Sequence, residues 1–272
     1  MWDYSRLYSS KSIKEKIVKK TILITSGAKR FGRAIAEAIL KDNWSIALHY
    51  NSSKIEAEET AHFLTEKGGE IYLYQADFLD IEKTEKFIES VAKDRVNWCG
   101  LINNAGLFSY DTGDNYSFKN LDKHMRVNFS APALLTKGLY KNIRKVNAKN
   151  YDSNIAINIL DGKIFGLNPD YYSYTLSKLS SYGLVKMAAL SYAPFLRVNG
   201  VAPGITLPAK GQTIEQFKKA HKKNILEKSS TIKEVIAAVK FLINSPSVTG
   251  HVSLLDGGAH LSPPKRDVAI EL

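Results

Sequence analysis

Short apolar runs and amphipathic helical stretches alternate along this chain, and that alternation restricts its fold more than any other feature. The runs "TILIT", "SIALHY", "EIYLYQAD", "GLINNAG", "NIAINIL" and "RVNGVAPG" are rich in Ile, Leu and Val, as expected of strands buried on both faces. Between them, apolar residues recur at helical spacing, as at Phe31, Ala34, Ile35, Ala38 and Ile39. Segments near 54–67, 81–94, 119–144, 172–192 and 231–244 behave alike, and "HVSLLDGG" reads as a last strand. The pattern predicts an α/β fold: a single doubly wound domain over 21–260, with a parallel sheet of about seven strands and helices on both faces. Residues 1–20 read as a polar extension and 261–272 as a tail.

A chain of 272 residues with 44% apolar content can bury a substantial core. Cys99 is its single cysteine, which leaves no disulfide framework and no zinc-type cluster, so no metal is expected. No apolar run approaches the roughly 18 residues that span a bilayer, and no secretory segment is evident. The expectation is a cytoplasmic protein with no membrane partner. The net charge of +11 is concentrated at Lys11, Lys14, Lys16, Lys19 and Lys20 and at Lys218, Lys219, Lys222, Lys223 and Lys228. These clusters fall on separate segments diluted by Glu15, Glu215 and Glu227. They read as solvated faces rather than a nucleic-acid footprint, and as favouring an anionic small molecule.

"TILITSGAKRFGRAIA", residues 21–36, is a strand, a turn and a helix. In an open parallel sheet such a turn lies at the carboxyl ends of the strands, where free N–H groups of the helix attract phosphate. Only Gly27 and Gly32 remain of a glycine-rich turn; Ser26 and Arg30 stand where two more glycines are usual. If the backbone at Ser26 needs a positive φ, the serine is strained there unless Gly27 absorbs the change. An acid about 20 residues further on commonly holds a free ribose 2′-OH. Here "HYNSSK", His49–Lys54, has no carboxylate but offers Asn51, Ser52, Ser53 and Lys54. That set, with the forked guanidinium of Arg30, suits a 2′-phosphate and hence NADP(H).

Tyr and Lys four apart on a helix share a face, and the ammonium can stabilise a phenolate. Three such pairs occur: Tyr50/Lys54, Tyr174/Lys178 and Tyr182/Lys186. The first straddles a strand end and the third lies two turns into its helix, whereas Tyr174/Lys178 opens a helix beside the crevice.

Taken in order, the turn at 25–32, Asp77 in "QADF", "NNAG" at 103–106, Asn128 in "VNFSAP", Tyr174 with Lys178, "RVNGVAPG" and "LDGG" resemble the short-chain dehydrogenase/reductases over residues 20–260. Within that family, which has a Rossmann fold, two features resemble the pteridine reductases. One is Arg30 in "GAKRFG". The other is Asp161, 13 residues before Tyr174 where the family usually has serine. The resemblance implies hydride transfer from NADPH to a C=N or C=O carbon, with Tyr174 as proton donor. Lys178 would lower the Tyr174 pKa and hold the nicotinamide ribose, and Asn128 would position Lys178. Asp161 would orient the substrate or relay a proton, and Phe108 would stack the pterin. Arg30 would touch both cofactor phosphate and substrate.

By the same resemblance the cofactor site takes in Ser26, Lys29, Arg30 and Phe31 from the turn, and Tyr50, Asn51, Ser52 and Ser53 from the second strand. Asp77, Phe78, Asn104, Ala105 and Gly106 follow, then Tyr174, Lys178, Pro203, Gly204 and Thr206. Residues 205–230 read as a substrate lid, lysine-rich and fitted to a small polar substrate. A homotetramer or homodimer is expected through the helices near 119–144 and 172–192. Two other readings stay open: a reductase of 3-oxoacyl thioesters or other carbonyls, and a non-catalytic dinucleotide sensor or scaffold.

Overall fold

The computed structural model describes residues 19–146, 151–208, 212–268 and 270. The expected extension, apart from residues 19 and 20, lies outside the described residues, as do 209–211 of the lid and the end of the tail. The sheet has seven strands: β1 (Thr21–Ile24), β2 (Ser45–Tyr50), β3 (Ile71–Gln75), β4 (Trp98–Asn103), β5 (Ile155–Ile159), β6 (Arg197–Pro203) and β7 (Val252–Leu255). All neighbours pair in parallel, in the order β3-β2-β1-β4-β5-β6-β7. Every apolar run read as a strand is one, and the doubly wound expectation holds.

The two-residue period of a strand explains why these runs are apolar throughout. Ile22 and Ile24 of β1 enter one core with Ile46 and Leu48 of β2. This core also takes Ile35 and Ile39 of helix α1 (Arg30–Leu40) and Val235 and Val239 of helix α8 (Ile232–Asn244). Leu23, between them, points to the opposite core with Leu101, Phe87 of helix α3 (Ile81–Asp94) and Leu135 and Leu139 of helix α5 (Ala131–Val146). Helix α2 (Lys54–Glu66) closes the first layer through Ala57 and Leu64.

The segment near 119–144 differs from its expected single helix. Helix α4 (Phe118–Met125) gives way to one wide π turn at Arg126–Ser130 before α5 begins. Such a turn inserts a residue into the helical ladder, and it seats Asn128 beneath the cleft. Helix α6 (Tyr172–Tyr192) matches the expected 172–192. Within the lid, helix α7 (Ile214–His221) starts on a capping box between Thr213 and Gln216.

Winding reverses between β1 and β4, so the loops that follow them diverge and leave a crevice at the carboxyl edge. The start of α1 seats directly on the turn after β1. A Cβ on Gly32 would lie 2.2 Å from the Ser26 carbonyl oxygen and 2.7 Å from Gly27 Cα. Since backbone must move to admit it, Gly32→Ala is expected to cost about 1–3 kcal/mol, read as a lowered urea midpoint at unchanged m-value.

Candidate active site

The crevice is a cleft of about 840 Å³. Ser26, Lys29, Arg30 and Phe31 line it from the turn, and Tyr50, Asn51, Ser52 and Ser53 from the end of β2. Asn104, Gly106 and Phe108 follow β4, Asp161 follows β5, Tyr174 and Lys178 come from α6, and Pro203, Gly204 and Thr206 follow β6. Four expected residues stand behind this lining. Asp77 accepts from Asn51 Nδ2 at 3.4 Å and from the Leu79 N–H. Phe78 is buried, Ala105 donates its N–H to Thr25 Oγ1 at 2.9 Å, and Asn128 lies beneath Gly106.

The turn carries the strain that its sequence implied. Ser26 has φ 52° and Arg30 φ 48°, so Gly27 does not absorb the change for either. The Ser26 N–H donates to His49 Nδ1 at 3.1 Å, and Asn104 Nδ2 donates to the carbonyls of Thr25 and Ser26. Arg30 reaches away from the turn and donates to the Pro208 carbonyl at 3.0 Å, which ties the turn to the lid. Lys29 pairs with Glu56 of α2.

At the other end, two elements meet: Asp161, after β5, comes together with Tyr174 and Lys178 of α6. Tyr174 donates its hydroxyl hydrogen to Asp161 Oδ2 at 2.5 Å. Asp161 also caps the short 3₁₀ turn after β5, because its other oxygen accepts the Lys163 N–H at 2.9 Å. One carboxylate therefore both caps a turn and meets Tyr174. Lys178 donates to the Ile159 carbonyl at 2.7 Å. Gly106 lies directly over these groups: a Cβ there would sit 3.7 Å from Asn128 Oδ1 and 4.0 Å from Lys178 Nζ, in ordinary contact. Asn128 is locked by the N–H and carbonyl of Leu107 and by Ser177 Oγ, at 2.7–2.9 Å, and its own carbonyl accepts from Ser181.

Burial sets the electrostatics. It raises the Asp161 carboxyl above its ordinary range, against the Tyr174 hydrogen bond that favours the anion. Burial and the Asp161 charge push the Tyr174 phenol well above its usual value, the opposite of the lowering expected from Lys178. Lys178 itself falls to about 8 through burial, partly offset by Asp161.

Several residues of the site gave no sequence signal. Tyr171 precedes α6 with φ 54°, and its ring stacks on Phe108 at 4.3 Å. Phe108 is 52% exposed and meets Tyr174 edge-on at 4.7 Å. The stretch read as a tail folds back here: Pro264, Asp267 and Val268 line the cleft. Arg266 forks onto the buried Asp170 at 2.6 and 2.9 Å, and Asp267 pairs with Lys163 at 2.9 Å. Tyr110 also donates to Asp170, so this carboxylate, held far below its usual range chiefly by Arg266, anchors the segment.

Comparison with known proteins gives the family. A family model described as enoyl-(acyl carrier protein) reductase matches residues 27–260. The chain belongs to the short-chain dehydrogenase/reductase family. It is 25% identical to dihydromonapterin reductase of Citrobacter koseri, over 88% of this chain and 96% of that one. It is 26% identical to glucose 1-dehydrogenase 2 of Bacillus subtilis, over 90% and 96%. Among solved structures it is similar to FolM alternative dihydrofolate reductase 1 from Brucella suis in complex with NADP, with TM-score 0.81 and 31% identity over 91% of this chain and 98% of that one. The family is one of oxidoreductases, and this chain is an enzyme of that class. Among the described residues, no helix is long and apolar enough to cross a membrane, and no acid, His or Cys cluster could hold a metal.

Two outcomes follow from this geometry. Burial lowers the His49 pKa from 6.5 to about 4, against the Ala76 hydrogen bond and the nearby Asp77 charge, which raise it. A folded-state pKa below the unfolded one means that stability is complete above pH 6.5 and lost as pH falls towards 4. The loss attributable to His49 should reach about 2 kcal/mol, measured as the difference in urea stability between pH 7 and pH 4.5 that His49→Asn removes. Separately, Arg266→Gln should free the C-terminal segment, and trypsin should then cut after Lys265 about tenfold faster, with the rest of the digestion pattern unchanged apart from the cut after residue 266 that the substitution removes.

Proposed function

We propose that the chain is an NADPH-dependent reductase of a pterin-like heterocycle, with Tyr174 as the proton donor. The observation that carries this reading is the 2.5 Å bond from Tyr174 to a partly buried Asp161, beside an exposed aromatic, Phe108. Likeness alone does not choose a substrate, because a glucose dehydrogenase and a pterin reductase match about equally well.

The residues fit a bound dinucleotide. Gly27, Gly32 and Gly204 keep the cleft open where a Cβ would intrude on its supports. The end of β2 offers Asn51, Ser52 and Ser53 with no carboxylate, which suits a 2′-phosphate. NADP bound to the Brucella suis protein supports the same choice. When bound, the cofactor supplies hydride.

This chain's own groups do the rest. Tyr174 keeps its proton at neutral pH because burial and Asp161 raise its pKa, so it can give that proton to the substrate nitrogen or oxygen. The Lys178 ammonium then steadies the phenolate, and Asn128 holds the loop before α4 on which Phe108 sits. Asp161 fixes the hydroxyl direction, and its raised pKa lets it pass a proton to Tyr174 or to a ring nitrogen. Phe108 supplies a flat face for the ring system, with Tyr171 stacked behind it. A cytoplasmic homotetramer or homodimer is part of this proposal, by family resemblance.

Asp161→Ser and Tyr174→Phe should each lower NADPH oxidation with dihydrobiopterin by about 100-fold or more, with NADPH affinity nearly unchanged. Turnover of acetoacetyl thioester, kept or improved in Asp161→Ser, would move the assignment to a carbonyl reductase. NADPH binding without turnover of dihydrobiopterin, folate or the thioester would favour the sensor.

A further inference from the structure

The turn after β1 does two unfavourable things at once. It places a serine and an arginine in the left-handed region, which costs L-residues free energy unless their surroundings enforce it. For Ser26 the enforcement is visible. Its N–H is aimed at His49 Nδ1 at 3.1 Å, and the next N–H, of Gly27, donates to the His49 carbonyl at 2.9 Å. One residue of β2 therefore takes two consecutive amides of the turn.

The ring of His49 is held so that it has no other use. It is 2% exposed. Nε2 lies 3.1 Å from the Ala76 carbonyl, which can only accept, so Nε2 carries the hydrogen and Nδ1 is the acceptor that Ser26 needs. Phe78 stacks on the ring at 4.2 Å and 12°, and Phe87 meets its edge at 5.3 Å. A flip of the ring about χ2 would break both hydrogen bonds, and a partial rotation would also lose the stack on Phe78. Leu48 closes the turn from the same strand, since a Cβ on Gly27 would come 2.8 Å from Leu48 Cγ.

We infer that His49 is a positioning residue for the dinucleotide turn: its Nδ1 substitutes for a missing glycine by holding Ser26 left-handed. The inference rests on the NADPH reading above, because the turn is there the phosphate cradle. The burial-lowered pKa agrees with it, since a protonated ring has no acceptor to offer. His49 touches neither the cleft nor the reacting atoms, and acts only through Ser26.

Two substitutions separate this role from mere packing, because each keeps one end of the ring. The amide of His49→Asn reaches the Nδ1 position and can still accept from Ser26, while that of His49→Gln reaches the Nε2 position and keeps Ala76. NADPH binding to the full-length protein is measured by fluorescence titration, with Tm recorded for each variant. His49→Asn should bind within about threefold of wild type and His49→Gln about tenfold more weakly, although both lose comparable Tm. Adding Ser26→Gly to His49→Gln should restore most of the affinity, since glycine adopts the left-handed region unaided. Equal weakening by Asn and Gln, or no recovery with Ser26→Gly, would overturn the role of His49 while leaving the cofactor reading intact. A wild type that does not bind NADPH would overturn both. Independently of any variant, ¹⁵N shifts of the wild-type ring at pH 7 should show Nε2 protonated and Nδ1 bare; the reverse tautomer rejects the inference.

Discussion

The site depends on an exchange of hydrogen bonds between the ends of β1 and β4. Thr25 Oγ1 accepts the N–H groups of Asn104 and Ala105, each at 2.9 Å, and Asn104 Nδ2 returns to the Thr25 and Ser26 carbonyls. These two strands are where the order of the sheet reverses direction, so the connections that follow them diverge. Stitched together, they form the floor of the cleft and carry the nucleotide turn on one side and Phe108 on the other. Most other contacts of the site are placed relative to that floor.

Charge is distributed along the cleft by the same geometry. At the turn, cations sit near solvent and are already engaged: Lys29 with Glu56, and Arg30 with the lid carbonyl. At the far end they are buried, and burial weakens each ionised form in turn: Asp161 is raised, Tyr174 is raised and Lys178 is lowered. Asp161 and Lys178 are thus brought closer in proton affinity than their types would suggest, while Tyr174 moves the opposite way to Lys178 and holds its hydroxyl hydrogen more firmly.

The strands were legible because burial on both faces demands unbroken apolar runs, and helix α6 because no proline interrupts its 21 residues. The Tyr174/Lys178 pair was visible through helical spacing, while Asp161 stood out only through the family resemblance; the fold brings the three together. The π turn at Asn128 was not legible, since "RVNFS" has the composition of ordinary helix. Nor was the Asp170–Arg266 anchor, whose partners are 96 residues apart with no period linking them. His49 sits in an apolar strand where a histidine reads as incidental, and its meaning emerges only when β2 lies beside the turn. Residue type carried the possibility of strain at Ser26; only the fold shows that the strain is real and what holds it.

The C-terminal segment divides the cleft into two walls that are held in different ways. The nucleotide half rests on β1 to β3, fixed along their length by parallel pairing. The wall made by Pro264, Asp267 and Val268 hangs instead on side chains, Arg266 on Asp170 and Asp267 on Lys163. Backbone pairing is indifferent to salt, whereas ion pairs that solvent reaches are screened by it. Ionic strength therefore acts on one wall of the cleft and spares the other.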